Sequence, residues 1–273
     1  MKKRPPYTII LEDPSLIAVS KDSGVAVGSE RWEPDAPGLD KLLEQFLLER
    51  DGRMQKLFTV HRIDKETSGL VVLAKTAAAH RKLSSDFRSR RVEKTYTAVV
   101  HGTPSWPGGE AVCDLPLLPD GNKKHSTIID KYHGKPSRTS CTLLLSAGNC
   151  SVIEARPETG RTHQIRVHLA ALGHPVLCDR LYGKAFRNEK GVYLSSLKRN
   201  WRGDAFEERP LLARLALHAL KLVLPGDGAG LCLQAPLARD MAALIRQMEK
   251  LGAAGKTGTP APVMKNPQVR GAP

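Results

Sequence analysis

The chain has 273 residues, 41% of them hydrophobic, and a mean hydropathy of −0.31, enough for one large domain or two modest ones. No run approaches the ~18 apolar residues of a membrane-spanning helix. The basic start Met1-Lys2-Lys3-Arg4 runs into Pro5-Pro6 and Glu12-Asp13 instead of a signal-peptide core, so a cytoplasmic protein is expected. Lys and Arg number 42 against 28 Asp and Glu, a net charge of +14 with a pI near 9.7, and such a surplus favours a polyanionic partner.

Membrane surface is the rival polyanion, but no basic amphipathic helix or lipidation signal accompanies the charge. Aromatic residues make up only 5%, which poorly supplies a base-stacking platform. The five cysteines, Cys113, Cys141, Cys150, Cys178 and Cys232, are never closer than nine positions. They are expected to be reduced and mostly buried, since no Cys-x-x-Cys pair exists to bind zinc or cycle as a dithiol. His163 and His168 are five apart, about 140° around a helix, which is wrong for shared metal ligation.

In chain order, Tyr7 to Leu11 and Leu16 to Ser20 read as strands around a turn at Asp13-Pro14, with a further turn at Gly24. Residues 38–50 place Leu39, Leu42, Leu43, Phe46 and Leu47 on one helical face. Leu70 to Ala74 is a buried strand, followed by Thr76 as N-cap of a helix to about Phe87. Strands are expected at Lys94 to Val100, Ser140 to Ser146 and Ser151 to Ala155. A helix over 163–172 stops at Gly173. Late strands at Leu215 to Leu224 and Leu231 to Gln234 precede a helix from Asp240 to Leu251. Residues 121–138 and 184–202 read as basic loops, and residues 252–273, with four Gly and four Pro, as a disordered basic tail. One domain is expected over 1–251.

Two polar clusters interrupt this pattern. The run His61-Arg62-Ile63-Asp64-Lys65-Glu66-Thr67-Ser68-Gly69 lies between Leu57-Phe58-Thr59-Val60 and the strand at Leu70. Its plain reading is a turn, but its density of reactive side chains at the mouth of a sheet suits a site. The second cluster runs from Glu158 to His168. Here Arg161, Gln164 and His168 follow helical spacing, while Arg166 lies on another face and, pointing inward, needs a carboxylate partner. Between them, alternation sets Tyr96, Ala98 and Val100 on one strand face, where a Tyr is ordinarily a packing residue. The residues alone indicate a nucleic-acid-binding mixed α/β protein with two charged clusters.

The run His61-Arg62-Ile63-Asp64 with Thr67-Ser68-Gly69 resembles the signature of the RluA family of pseudouridine synthases. Lys94-x-Tyr96 to Gly102 is similar to that family's second motif. Gly160-Arg161-Thr162-His163-Gln164-Ile165-Arg166-Val167-His168, continued by Leu172-Gly173-His174-Pro175 and Asp179-x-x-Tyr182-Gly183, is similar to its third. Leu217-His218-Ala219 and Gln234-Ala235-Pro236 fit as well. The chain departs from the family at Lys21-Asp22-Ser23-Gly24, where Lys-Pro-x-Gly is usual, and its catalytic pattern begins without an S4-type RNA-binding domain.

The resemblance implies an α+β fold class, the pseudouridine synthase catalytic fold, with a central mixed and largely antiparallel sheet flanked by helices and loops. It implies isomerisation of a uridine already in RNA, ribosomal or transfer, by a monomer with no cofactor or metal. Asp64 is implied as the catalytic carboxylate, a nucleophile or a base at the sugar. Arg166 is implied as its partner and Tyr96 as the residue against the target base. Because the uridine must be flipped from its stack, Arg62 is implied to fill the gap with its planar guanidinium. His61, Thr67, Arg161, His163 and Gln164 are expected RNA contacts. Lys123, Lys124, the Lys198-Arg199 segment and the helix residues Arg81, Lys82, Arg88, Arg90 and Arg91 are expected phosphate contacts. The alternative is a catalytically silent RNA-binding or ribosome-associated protein on the same fold, which an altered Asp64, Tyr96 or Arg166 would have signalled.

Overall fold

The computed structural model describes residues 4–29, 36–121, 126–183, 191–198, 201–204, 206–226 and 230–254. Its strands are β1 (Tyr7–Glu12), β2 (Leu16–Lys21), β3 (Phe58–Thr59), β4 (Ser68–Ala74), β5 (Glu93–His101), β6 (Glu110–Asp114), β7 (Leu117–Leu118), β8 (Ile128–Ile129), β9 (Arg138–Ala147), β10 (Cys150–Pro157), β11 (Leu217–Leu224) and β12 (Leu231–Gln234). Its helices are α1 (Leu39–Asp51), α2 (Ala77–Arg88), α3 (Gln164–Ala171), α4 (Leu194–Leu197) and α5 (Arg239–Ala254). One large sheet runs in the order β1-β2-β4-β11-β5-β10-β9-β6, with β3 beside β4 and β12 beside β11. Every pairing in it is antiparallel except β4 with β11.

Local chemistry accounts for the ends of these elements. The Asp13 carboxylate accepts from the backbone N–H groups of Ser15 and Leu16 at 2.6 and 2.8 Å, closing the β1–β2 hairpin with an Asx turn. α1 ends at Gly52, which takes the left-handed conformation at φ 69° and donates to Leu48 O. The Thr76 hydroxyl caps α2 by accepting from Ala79 N–H.

Strand β4 is buried along its whole length, and its alternation divides the interior. Val71 and Leu73 pack on α1 through Leu39, Leu43 and Leu47, while Leu70, Val72 and Ala74 join Leu83 of α2 on the opposite face. A third apolar cluster lies around β5 and β10, where Val99, Ile153 and Leu169 meet Met241, Leu244 and Met248 of α5. Four cysteines are buried as expected and Cys232 is exposed. Burial pushes the thiols of Cys113, Cys150 and Cys178 up to about 11, which keeps them protonated and inert.

The structure corrects three expectations. α5 continues through Ala254, so Gly252 belongs to the helix and not to a tail; residues 255–273 lie outside the described residues. The stretch 121–138 is not all loop, because β8 pairs with β7 inside it, while Lys123 and Lys124 lie outside the described residues. The stretch 184–202 holds the short helix α4, with Arg199 also outside them. Edge strand β6 escaped the sequence reading because Glu110–Asp114 is short and buries only Cys113.

At the parallel junction Ala219 stands opposite Gly69. Gly69 has φ 113°, and a Cβ there would lie 2.2 Å from Ala219 O and 2.7 Å from Ala219 N. Only glycine lets β4 and β11 approach so closely. Gly69→Ala should therefore destabilise the protein by at least about 3 kcal/mol in urea unfolding, combining backbone strain with overpacking. A loss within error would show that the junction can relax.

Candidate active site

Asp64 sits at the tip of the loop joining β3 to β4. Because β3 pairs back along β4, with Phe58 opposite Ala74 and Thr59 opposite Leu73, the intervening residues must double back at the end of the sheet. A tight turn, with Thr67 N–H donating to Asp64 O at 3.0 Å, places the carboxylate there. The loop is fastened from beneath. Lys21 Nζ and Gly24 N–H both donate to Lys65 O, at 3.0 and 2.8 Å, and Ser23 Oγ donates to Glu66 O at 2.6 Å. The Lys21-Asp22-Ser23-Gly24 turn, which departs from the family pattern, thus holds the Asp64 loop through a side chain, a hydroxyl and a backbone amide. None of these bonds requires the usual proline.

Arg166 approaches from α3. Its guanidinium is 2% exposed and forms a bidentate pair with Asp179, Nε to Oδ2 at 2.8 Å and one terminal nitrogen to Oδ1 at 2.9 Å. Its remaining edge faces Asp64 Oδ2 at 3.6 Å and Glu66 Oε2 at 3.5 Å, and its Cζ lies 5.3 Å from the Tyr182 ring centre. The carboxylate anticipated for Arg166 is therefore chiefly Asp179, with Asp64 on the far side. Asp179 is itself fixed, since its Oδ1 accepts from the N–H groups of Leu181 and Tyr182. Burial opposes its charge, but the Arg166 guanidinium and these amides hold its carboxyl below the ordinary value.

Tyr96 enters from β5 between two alanines, Ala219 of β11 and Ala155 of β10. Burial, and then the charge of Asp64, push its phenol above the ordinary value. Hydroxyl and carboxylate therefore share one space. Together with the two charged clusters these groups line a cleft of about 1080 Å³, whose cations include Arg62, Arg88, Arg90, Lys94, Arg161 and Arg180. Two non-glycine residues with positive φ line it, Arg90 at 59° and His163 at 54°. Backbone strain of this kind persists where the surroundings fix a functional geometry.

The remaining expected contacts separate into two groups. Arg62 is exposed in the cleft, and His163 lines it, with Nδ1 2.9 Å from the Tyr182 hydroxyl. Arg161 precedes α3 instead of lying on it, and its guanidinium donates to Pro136 O at 3.3 Å. His61, Thr67 and Gln164 line the cleft as well, but His61 and Gln164 also bond within the fold. Val72 N–H donates to His61 Nε2 at 3.0 Å and the ring stacks on Phe87, while burial depresses its pKa to about 3. Gln164 uses its amide on Thr159, Arg161, Arg138 and Thr139. Thr67 is 1% exposed. On α2 and in the turn after it, Lys82 and Arg91 are paired with Asp86, while Arg88 and Arg90 line the cleft. Asp179, Glu66 and Tyr182 were given no role by the sequence reading, although the spacing Asp179-x-x-Tyr182 was the available signal.

Asp179→Asn preserves shape but leaves Arg166 buried without its bidentate partner, so unfolding at pH 7 should cost about 3–5 kcal/mol less than in the parent. The Asp179 contribution is fully present above its unfolded value of 3.8 and is lost as pH falls through the lower folded value. The two proteins should therefore converge in stability in acid. Parallel curves down to pH 2 would show that Asp179 does not carry this charge.

The family model described as RNA pseudouridylate synthase matches residues 15–171. Ribosomal large subunit pseudouridine synthase D of Zymomonas mobilis is 34% identical over 253 residues, 89% of this chain and 73% of that protein. Dual-specificity RNA pseudouridine synthase RluA of Escherichia coli is 34% identical over 235 residues, 85% of this chain and 94% of that one. Among solved structures, human RNA pseudouridylate synthase domain containing 1 covers 96% of this chain and 100% of its own at 26% identity and a TM-score of 0.64. The human domain containing 4 protein, 23% identical, shares the fold with a TM-score of 0.68 over 88% of this chain and 92% of its own. The model match spans both charged clusters, and the relatives match over most of their length. The chain accordingly belongs to the RluA family of RNA pseudouridine synthases.

Proposed function

We propose that this enzyme isomerises particular uridines in structured ribosomal or transfer RNA, with Asp64 as the reacting carboxylate and Tyr96 and Arg166 beside it. The observation that carries the reading is the meeting, in one cationic cleft, of the Asp64 carboxylate, the Tyr96 hydroxyl and a buried guanidinium 3.6 Å from Asp64. In the reaction the N1–C1′ bond breaks, uracil turns, a C5–C1′ bond forms, and the proton lost from C5 is balanced by one gained at N1. Product and substrate are isomers, so the chemistry draws on no external electrons and no donated group. One chain and no small-molecule cofactor suffice.

Asp64 serves either by attacking C1′ or by removing a sugar proton, and both need a negative oxygen beside the ribose. Arg166, held from behind by Asp179, presents fixed positive charge to that oxygen without having to reorganise. Tyr96, with Ala155 and Ala219 beside it on the neighbouring strands, lines the cleft, which suits a ring that lies against the extruded uracil. Arg62 is exposed and has no hydrogen-bond partner among the described residues, which suits a side chain that enters the stack in place of the flipped base. Arg88, Arg90, Arg161 and Arg180 supply the charge that draws RNA into the cleft.

Asp64→Asn tests the assignment, because Asn matches Asp in size but is neither nucleophile nor base. The variant should unfold at the parent temperature, bind RNA at least as well, and form no detectable pseudouridine on cellular RNA in long incubations. Turnover near the parent rate would remove Asp64 from the mechanism. A parent protein that bound RNA but made no pseudouridine on any cellular RNA would establish the silent-binder alternative.

A further inference from the structure

We propose that Arg90 and Lys94 together form a subsite for one backbone phosphate of the bound RNA, at the wall of the cleft beside the Asp64 loop. The proposal rests on the reading of the cleft as an RNA site and adds a defined anion position to it. The two cations come from different elements, Arg90 from the turn after α2 and Lys94 from the start of β5. Both line the cleft.

The turn is built to keep them there. Arg91 is pinned by its ion pair with buried Asp86, and Arg91 N–H donates to Asp86 O at 3.0 Å. Arg90, between α2 and Arg91, is forced into the left-handed region at φ 59°, a conformation with a real cost for a residue carrying a Cβ. Lys94 is half-buried and donates one bond, at 3.1 Å, to Thr159 O, which leaves two of its three donors.

The surrounding charge is one-sided. The charged or titratable groups whose fields couple to Lys94 are Arg90 and His61, and His61 is held neutral. Among the described residues neither Arg90 nor Lys94 is paired with a carboxylate. Burial and then the nearby Arg90 bring Lys94 down to about 8. Two like charges held together, one of them partly desolvated, are destabilising until an anion arrives. A phosphodiester supplies that charge and acceptors for both side chains.

The linkage follows in sign. An anion bound at Lys94 favours its protonated form, so binding takes up a proton wherever free Lys94 is part neutral, and affinity weakens as pH rises through 8. The test is fluorescence anisotropy of a labelled 12-residue single-stranded uridine oligoribonucleotide at pH 6.5 and 8.5 over a range of salt. Lys94→Gln and Arg90→Gln should each weaken binding about tenfold at pH 6.5 and lower the log–log salt slope by about 0.7. Lys94→Arg keeps the charge at both pH values, so it should retain affinity and lose the pH dependence of the parent. Full affinity and slope in both Gln variants, or a pH dependence unchanged in Lys94→Arg, would overturn the subsite. If that occurred while the parent still formed pseudouridine on cellular RNA, the enzymatic reading would stand and only the phosphate position would fall. If Lys94→Gln has a lowered melting temperature it is judged by Lys94→Arg, which keeps a donor for Thr159 O, and Arg90→Gln is likewise judged by Arg90→Lys, which keeps the charge.

Discussion

The structure depends on one buried guanidinium. Arg166 at 2% exposure has left bulk water, and such a charge is tolerable only where its hydrogen bonds are met by an opposite charge. Asp179 meets that need with two short bonds and is itself held by two backbone amides and a residue of positive φ before it. Satisfying Arg166 from behind has a consequence at the front. The guanidinium does not collapse onto Asp64, which stays at 3.6 Å. A carboxylate locked in a short bidentate pair would be a poor nucleophile, and the arrangement keeps positive field near Asp64 without that lock.

The same logic of support from outside the reacting groups runs through the Asp64 loop. Its carbonyls at Lys65 and Glu66 are held by Lys21, Ser23 and Gly24, and His61 anchors its start to β4. Its end is fixed where Ser68 Oγ meets His218 Nδ1 at 2.9 Å and an Arg214 nitrogen at 3.1 Å, with Arg214 clamped to Asp240 at the start of α5. The loop that carries Asp64, the proposed reacting carboxylate, is therefore bonded at its start, middle and end, to three different parts of the chain. Such preorganisation lets electrostatic stabilisation act without rearrangement at the moment of reaction.

Charge outside this centre is unevenly used. Lys82 and Arg91 neutralise Asp86 and Arg50 neutralises Glu12, whereas Arg62, Arg88 and Arg90 face the cleft without carboxylate partners among the described residues. The net charge of +14 thus has a local meaning that no global count conveys. Acidic residues on α2 and β1 hold some cations to the fold and leave others for a polyanion.

Periodicity alone was enough to find the elements with a strong pattern, such as α1 with Leu39, Leu43 and Leu47 on one face and the continuous apolar run of β4. The sequence by itself determined the chemistry as well, because the runs around Asp64, Tyr96 and Arg166 retain the residue types of a known family in order. It left the short strands unseen, since a two-residue strand such as β7 or β8 and an edge strand such as β6 carry no periodic signal. It could not show that His61 and Gln164, which line the cleft beside Arg62 and Arg161, also spend hydrogen bonds on the fold. Only the tertiary structure decided that Asp179 rather than Asp64 is the main partner of Arg166, and that Lys94 stands beside Arg90. Those facts depend on which residues distant in the chain are brought together by the sheet order and on which charges lose their water there, and neither is a property of local sequence.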